Sequence, residues 1–245
     1  MKPRLAFISF ASCEGCGLMV LNLEDEILDI LNATTIADFR EAMTERSDDY
    51  DVAFVEGSIT READGEKLKH IRERAKVLVA LGACACTGGV NAIKNQHPLD
   101  DVRKYVYGDK ASWFDTYPTR PLSAVVKVDF QIRGCPISKK EFLEVAKALL
   151  QGKTPDIATY SVCVECKLKE NVCVYDKGMV CMGPIARAGC DARCPSNGDG
   201  CEGCRGWVDD PNKNAAKEVL TERGLSIEDI KRNLTLFNTY LETAK

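Results

Sequence analysis

Residues Arg4 to Cys16 read RLAFISFASCEGC and hold the first element of the fold. The segment Arg4–Phe10 is short, apolar and contains β-branched and aromatic side chains, which predicts a β-strand. The segment Leu18–Leu31 then places apolar side chains at helical spacing and predicts one helix. A strand followed directly by a helix is the start of a βαβ unit, so this stretch favours an α/β fold.

The same alternation continues as far as residue 150. Strands are predicted over Thr35–Phe39, Asp51–Val55, Lys76–Leu81 and Val125–Phe130, and helices over Glu62–Ala75 and Lys139–Leu150. Alternating strands and helices indicate a parallel sheet that helices cover on both faces. A change of composition near Gln151–Pro155 marks the boundary of a second module. After Trp207 the sequence predicts a helix, a loop and a second helix.

Length and composition restrict the class of protein. The 245 residues suffice for one large domain or for a domain with a small module, and a hydrophobic fraction of 45% is ordinary for a globular protein. The net charge of −4 argues against nucleic acid or an anionic membrane as a partner. No apolar run approaches the roughly 18 residues that span a bilayer, and the N-terminus carries no signal motif. These features predict a cytoplasmic protein.

Cysteine is unusually frequent. The chain has 13 cysteines but only two histidines, His70 and His97, and neither histidine lies in a recognisable motif. We expect both histidines to be solvated or to cap a turn. In a cytoplasmic protein so many thiols indicate metal ligation, and the scarcity of histidine favours all-thiolate zinc or iron–sulfur sites.

Four cysteines of the first part follow predicted strands. Cys13 and Cys16 follow the first strand, and Cys84 and Cys135 each follow a later one. The carboxyl ends of parallel strands share one edge of the sheet, so these thiols are predicted to converge on one four-thiolate site. Two alternatives remain open: Cys84 and Cys135 are buried structural thiols, or the C-x-x-C pair is a thioredoxin-like redox motif. The fifth cysteine, Cys86, is interpreted as structural.

The remaining cysteines are far more densely spaced. Eight lie within 42 residues at the spacing C-x2-C-x6-C-x7-C-x8-C-x3-C-P-x5-C-x2-C. Four thiolates bind one cluster, so eight predict two sites. Sequential grouping gives one site with Cys163, Cys166, Cys173 and Cys181, and another with Cys190, Cys194, Cys201 and Cys204. The C-x3-C-P element favours iron–sulfur clusters, whereas two zinc ions, or an interleaved division of the ligands, are the alternatives.

The sequence contains no recognisable catalytic machinery. It has neither the glycine-rich dinucleotide fingerprint nor a P-loop, and it has no nucleophile with an adjacent base. We therefore predict no catalytic residue on this chain. Three clusters without a substrate site are typical of an electron relay, which requires partner subunits.

Six short motifs are distributed over nearly the whole chain. They are Cys13-x-x-Cys16, Val55-Glu56-Gly57-Ser58, Gly82-Ala83-Cys84-Ala85, Gly134-Cys135-Pro136, Cys181-Met182-Gly183-Pro184 and Ala188-Gly189-Cys190. Together they resemble the small, electron-transferring subunit of cytoplasmic [NiFe] hydrogenases. The resemblance implies a flavodoxin-like α/β domain at 1–155, a ferredoxin-like module with two clusters at 156–210, and a helical segment at 211–245.

The resemblance also assigns three [4Fe–4S] clusters. The proximal cluster, which faces a nickel–iron large subunit, would take Cys13, Cys16, Cys84 and Cys135. The distal cluster would take Cys163, Cys166, Cys173 and Cys181, and the medial cluster would take Cys190, Cys194, Cys201 and Cys204. Many membrane-bound relatives have a histidine as the first distal ligand and only three medial cysteines. This chain instead has Cys163 as the first distal ligand and four medial cysteines, and both differences are typical of the cytoplasmic group.

Two carboxylates are expected near the proximal ligands: Glu56, at the end of a predicted strand, and Glu14. By resemblance Glu56 lines the subunit interface or a proton route, but a carboxylate that accepts nearby backbone N–H groups explains it as well, and we favour the latter. Glu14, between Cys13 and Cys16, is interpreted as an exposed loop residue.

The electron acceptor is expected to be a flavin- or iron–sulfur-containing subunit. The run Cys163-Val164-Glu165-Cys166 and the compact length most resemble the delta subunit of NAD(P)-linked sulfhydrogenases. The corresponding subunit of methyl-viologen-reducing hydrogenases, which feed heterodisulfide reductase, is the alternative. Two other hypotheses are an iron–sulfur subunit related to respiratory complex I and a zinc-stabilised interaction protein with no redox role.

Overall fold

The structure, a computed structural model, describes residues 2–243. Within them five parallel strands form one sheet in the order β2-β1-β3-β4-β5. The strands are β1 (Arg4–Ser9), β2 (Thr35–Phe39), β3 (Val52–Glu56), β4 (Val77–Leu81) and β5 (Phe130–Ile132). This is the strand order of flavodoxin-like folds, and it confirms the predicted α/β class.

Helices connect the strands and cover the sheet. Up to residue 150 they are α1 (Gly15–Leu21), α2 (Asp25–Ala33), α3 (Glu62–Arg74), α4 (Gly82–Thr87), α5 (Leu99–Tyr107) and α6 (Lys139–Leu150). Beyond residue 150 they are α7 (Val162–Leu168), α8 (Arg193–Ser196), α9 (Lys213–Glu222), α10 (Ile227–Thr235) and α11 (Thr239–Thr243). Segments of 3-10 helix lie at Gly89–Gln96, Gly108–Trp113, Leu122–Ala124 and Val174–Lys177.

The sheet is buried on both faces, as parallel sheets usually are. Phe7 of β1 and Phe54 of β3 face one layer, where their ring centroids lie 5.1 Å apart and Phe54 lies 5.2 Å from Phe142 of α6. Ile8 of β1 faces the opposite layer together with Leu68 of α3. Successive side chains of a strand point to opposite faces, so a continuously apolar strand can supply both layers.

The prediction of one helix over Leu18–Leu31 is wrong. The chain forms α1 and α2 instead, and it breaks at Glu24, whose φ is +57°. The break turns Leu23 into the core, where it is only 2% exposed, while Leu28 stays 56% exposed. Full burial of a leucine is worth about 1.5–3 kcal/mol, enough to offset a helical hydrogen bond lost at the break.

The predicted strand over Val125–Phe130 is misplaced. The paired strand β5 begins at Phe130, and Val125 follows a 3-10 turn instead. Val125 packs against the layer that contains Leu68, so its apolar character serves packing rather than strand pairing. Asp129 fixes the entry to β5: its N–H donates to the carbonyl oxygen of Leu78 at 3.0 Å, and its carboxylate accepts the Leu78 N–H at 2.8 Å.

The other elements predicted up to residue 150 agree with the structure to within one residue at each end. Between Trp207 and residue 243 the chain has three helices, α9 to α11, where two were predicted. These helices pack on the cysteine-rich segment: Leu220 of α9 and Leu234 of α10 share a core with Met182, Ile185 and Trp207. No helix among residues 2–243 combines the length and the apolar character that a bilayer crossing needs.

Candidate metal centres

Four thiols lie together at the carboxyl edge of the sheet, and we name them site A. Cys13 lies in the turn after β1 and Cys16 in α1; Cys84 lies in α4 directly after β4, and Cys135 follows β5. Burial, and then the charges of Cys135 and Cys13, raise the pKa of the Cys84 thiol to about 12. Burial, followed by charges that include those of Cys135 and Cys84, also raises the pKa of Cys16. The four thiols are therefore close enough to act on one another, as the strand positions predict.

Glycines leave space beside the sulfurs of site A. A β-carbon on Gly82 would lie 2.4 Å from the sulfur of Cys16, and one on Gly89 would lie 3.0 Å from the sulfur of Cys84. Both glycines have positive φ, +83° and +54° respectively, a conformation that residues with side chains rarely adopt. The backbone therefore approaches these thiols closely only because residues 82 and 89 lack side chains.

Glu56 ends β3 and anchors the start of α1. It is 5% exposed, and its two carboxylate oxygens accept the N–H of Cys16 at 3.2 Å and the N–H of Gly17 at 2.7 Å. Burial raises the pKa of Glu56, while the two N–H donors act in the opposite direction. These contacts are the ones expected if Glu56 holds the backbone of the C-x-x-C segment in place.

Two further carboxylates lie next to this segment. Glu14 is partly buried rather than exposed, and its carboxylate accepts the hydroxyl of Ser9 at 3.1 Å. Its neighbour Glu41 follows β2; burial, and then the hydrogen bond with Glu14, raise the pKa of Glu41 to about 7. Sequence reasoning missed Glu41, because no motif surrounds it and only the fold brings it to Glu14.

The second group of thiols, site B, contains Cys163, Cys166, Cys173 and Cys181. Burial, and then the charges of Cys181, Cys166 and Cys173, raise the pKa of Cys163 to about 11. The sulfur of Cys181 accepts two backbone hydrogen bonds, from the N–H of Gly183 at 3.4 Å and from the N–H of Cys201 at 3.2 Å. Such donors stabilise the anionic form of a thiol.

The third group, site C, contains Cys190, Cys194, Cys201 and Cys204. Burial raises the pKa of Cys204 to about 12, the N–H of Cys135 lowers it, and the charges of Cys190 and Cys135 raise it. Burial also raises the pKa of Cys201, to which the charges of Cys181, Cys204 and Cys190 contribute. Site C therefore borders site A through Cys135 and borders site B through Cys181.

The thiols of each group are not drawn tightly around one point. Among residues 2–243, no three cysteine, histidine, aspartate or glutamate side chains are arranged so that they could hold a single metal ion. A tetrahedral zinc would require its sulfurs at about 2.3 Å from the ion.

The comparison with known proteins identifies the family. The family described as NADH ubiquinone oxidoreductase, 20 Kd subunit, matches residues 13–149. Sulfhydrogenase 2 subunit delta of Pyrococcus furiosus is 38% identical over 236 residues, which cover 96% of this chain and 98% of that protein. This chain belongs to the [NiFe] hydrogenase small-subunit family. It is thus a subunit of a hydrogenase, an oxidoreductase, which confirms the prediction from the sequence motifs.

Other relatives agree with this identification. A vhu subunit of the F420-non-reducing hydrogenase of Methanocaldococcus jannaschii is 32% identical and aligns over 98% of this chain and 95% of its own length. A chain of the NAD+-reducing [NiFe]-hydrogenase in the H2-reduced state has a TM-score of 0.57 and 26% identity, covering 64% of this chain and 96% of that one. The relatives aligned over nearly the whole chain are hydrogenase subunits, which favours a hydrogenase over the alternative related to complex I.

Three residues considered from the sequence lie outside the thiol groups of this hydrogenase subunit. Cys86 is buried, its thiol faces the carbonyl oxygens of Ala80 at 3.7 Å and Ile132 at 3.8 Å, and burial raises its pKa to about 12. His70 is exposed and its Nε2 accepts a hydrogen bond from Arg74 at 2.8 Å. His97 is exposed and ends the 3-10 segment, where its N–H donates to the carbonyl oxygen of residue 94 at 3.1 Å.

Proposed function

We propose that this chain relays electrons through three [4Fe–4S] clusters, one at each thiol group, within a cytoplasmic [NiFe] hydrogenase. The observation that carries the proposal is the arrangement of twelve cysteines in three adjoining groups of four, with site C between sites A and B. Bound clusters supply one-electron oxidation and reduction. Oxidation of dihydrogen at the large subunit releases two protons and two electrons, and this chain would convey the electrons.

The residues present fit such clusters. Each group offers four thiols, which is the ligand set of a [4Fe–4S] cluster. Gly82 and Gly89 leave open the space that a β-carbon would fill beside Cys16 and Cys84. The similarity to hydrogenase subunits over nearly the whole chain favours iron–sulfur clusters over the hypothesis of a zinc-stabilised interaction protein.

We assign the proximal position to site A, the medial position to site C and the distal position to site B. Cys13 and Cys135 are exposed at the rim of site A, which supports docking of the nickel–iron large subunit there. Leu168 and Val172, beside the site B ligands, are 78% and 63% exposed, which supports docking of the electron acceptor at that end. For Glu56 we propose a structural role in holding α1 rather than a place on a proton route.

The acceptor subunit is proposed to contain flavin, iron–sulfur clusters or both. The 38% identity to a sulfhydrogenase delta subunit favours a NAD(P)-linked acceptor. The similarity to the F420-non-reducing hydrogenase of Methanocaldococcus jannaschii makes a heterodisulfide-reductase-linked acceptor the second candidate.

Elemental analysis of the natively tagged, anaerobically purified complex tests the proposal. Three four-iron clusters give about twelve irons per copy of this chain, in addition to the iron and the one nickel of the large subunit. The complex should also reduce viologen with dihydrogen. About twelve irons without nickel would keep the relay and overturn the hydrogenase assignment of its partner. Zinc in place of iron would overturn the relay.

Substitutions in the individual groups test the division of the ligands. Cys16→Ala, Cys166→Ala and Cys194→Ala should each lower the iron content by about four per chain, because each removes a ligand from a different cluster. Electron paramagnetic resonance of each variant should lose a different signal. Loss of the same signal from Cys166→Ala and Cys194→Ala would show that the two groups are interleaved.

A further inference from the structure

Three arginines lie where the sheet meets the cysteine-rich segment, between sites A and C. Arg133 precedes Cys135 of site A by two residues, and Arg205 directly follows Cys204 of site C. Arg205 is only 2% exposed and Arg187 is 7% exposed, while Arg133 is partly buried. Guanidinium groups keep their charge in proteins, so these positions concentrate positive charge beside the two groups of thiols.

The charge of Arg205 is neutralised within the chain. Its Nη2 donates to Oε1 of Glu141 at 2.6 Å and its Nη1 donates to Oε2 at 2.9 Å, a bidentate pair. Its Nε donates to the carbonyl oxygen of Ala188 at 2.6 Å. Gly189 makes this geometry possible, since a β-carbon there would lie 2.2 Å from Nη2 of Arg205. Arg205 is therefore both paired and fixed in position.

Arg133 has no such carboxylate. Its Nη1 donates to the carbonyl oxygen of Arg205 at 3.2 Å, and within residues 2–243 it forms no ion pair with an acidic side chain. Burial lowers the pKa of Arg133; among the side chains that act on it, the buried thiol of Cys86 comes first, followed by Arg187, Arg205 and Asp209, and Asp209 pairs with Arg187. The two arginines next to Arg133 therefore have their own carboxylate partners, and Arg133 is left with an uncompensated charge.

Ligand residues of two different sites adjoin Arg133: Cys135 of site A lies two residues further along the chain, and the carbonyl oxygen that accepts its Nη1 belongs to Arg205, directly after Cys204 of site C. The N–H of Cys135 in site A faces the thiol of Cys204 in site C, so the two groups adjoin at these two residues. A partly buried guanidinium without a carboxylate is unfavourable by itself, and anionic thiolates on either side would compensate it. The junction is thus complementary to negatively charged groups at sites A and C.

We propose that Arg133 is the counter-charge of the clusters at sites A and C and that it raises their reduction potentials. Reduction adds negative charge to a cluster, so a nearby positive charge stabilises the reduced form, and local charge and hydrogen bonding are known determinants of cluster potential. Glu141 limits the effect because it cancels the charge of Arg205. The inference rests on the proposed function, and it makes Arg133 a positioning residue of the relay rather than a catalytic one.

Redox titration of the intact, anaerobically purified hydrogenase complex, followed by electron paramagnetic resonance, tests the proposal. Arg133→Gln should lower the midpoint potential of at least one of the clusters at sites A and C, while the cluster at site B keeps its potential. Arg133→Lys retains the charge and should restore the parental value. Arg232→Gln removes an exposed arginine of α10 that pairs with Asp229, and it serves as the matched control with no shift expected.

Glu141→Gln provides an independent measurement with the opposite sign. It leaves the charge of Arg205 uncompensated, so the midpoint potential at site C should rise. Full iron content with unchanged potentials in Arg133→Gln would overturn the inference and leave the proposed function intact. If Arg133→Gln loses its clusters, an unchanged potential in Glu141→Gln would overturn the inference, because a positive charge freed at this junction would then have no effect on the clusters. A parental complex without about twelve irons per chain would instead contradict the proposed function.

Discussion

A β-carbon on Gly82 would lie 2.4 Å from the sulfur of Cys16, although the two residues belong to different strand–helix units. Cys16 lies in α1 after β1, and Gly82 begins α4 after β4. Gly82 also has a φ of +83°, and the N–H of the next residue, Ala83, donates to the carbonyl oxygen of Gly134 at 2.7 Å. Three chain segments that carry ligands of site A therefore meet at Gly82.

The substitution Gly82→Ala is expected to abolish metal binding at site A alone. The added methyl group overlaps the sulfur of Cys16, so that thiol must move and the cluster loses a ligand. The iron content should fall by about four per chain, measured on the anaerobic complex. Gly152→Ala is a matched control, because Gly152 also has positive φ, +67°, but a β-carbon there meets nothing within 4 Å. Equal iron loss in both variants would mean that backbone strain, and not the contact with Cys16, is responsible.

The neighbouring thiols Cys84 and Cys86 are expected to respond oppositely to replacement by alanine. Cys84→Ala removes a ligand of site A and should lower the iron content by about four per chain. Cys86→Ala should leave the iron content unchanged, because its buried thiol faces two backbone carbonyl oxygens. Its small cavity should lower the free energy of unfolding by about 1 kcal/mol, measured by denaturant titration. Iron loss from Cys86→Ala would contradict the structural interpretation of Cys86.

The convergence of the site A thiols could be predicted because it depends on topology alone. Parallel strands end at one edge of the sheet, so cysteines that follow different strands meet there whatever the details of the loops. The break at Glu24 has no comparable signal, because its positive φ follows from the burial of Leu23 and not from a glycine or proline in the sequence. The strand predicted from Val125 onward was misplaced because apolar, β-branched side chains are typical both of strands and of segments that pack beneath a helix, as Val125 does.

The arginines between sites A and C could not be predicted from local patterns. Arg205 contacts Glu141 across 64 positions of the sequence and Arg133 across 72. Neither Arg133 nor Glu141 lies in a motif that indicates such a contact; Glu141 was predicted only as part of a helix, and Arg133 falls in no predicted element. Ligand spacing is therefore visible in this sequence, whereas the electrostatic environment of the ligands requires the fold.

Glu41 is expected to make the stability of the protein depend on pH. Burial, and then its hydrogen bond with Glu14, raise its pKa from the usual 4.5 to about 7. Between pH 4.5 and about pH 7, Glu41 binds more protons in the folded state than in the unfolded state. Protonated Glu41 therefore contributes to the free energy of unfolding at low pH, and this contribution is lost as the pH rises towards 7. Glu41→Gln should flatten the dependence of the thermal unfolding temperature on pH across this window. Glu45→Gln, at an exposed position, should keep the parental dependence, and an unflattened profile in Glu41→Gln would refute the assignment.

The first ligand of site B is expected to accept histidine. Cys163 is partly exposed near the start of α7, and Gly183 leaves space beside it, since a β-carbon there would lie 3.6 Å from the Cys163 sulfur. Cys163→His replaces an anionic thiolate by a neutral imidazole, which can still bind iron. The protein should therefore keep about twelve irons per chain, and the midpoint potential at site B should rise, because histidine in place of cysteine raises cluster potentials.

Cys163→Ala provides the comparison that separates ligand charge from ligand loss, because it should lose about four irons together with the signal of site B. Sites A and C should keep their potentials in Cys163→His, since burial and the charges of Cys181, Cys166 and Cys173 dominate the surroundings of Cys163. Redox titration followed by electron paramagnetic resonance measures both quantities. A loss of iron in Cys163→His as large as in Cys163→Ala would show that site B does not tolerate an imidazole ligand. A shift at site C instead of site B would show that Cys163 belongs to the other group of ligands.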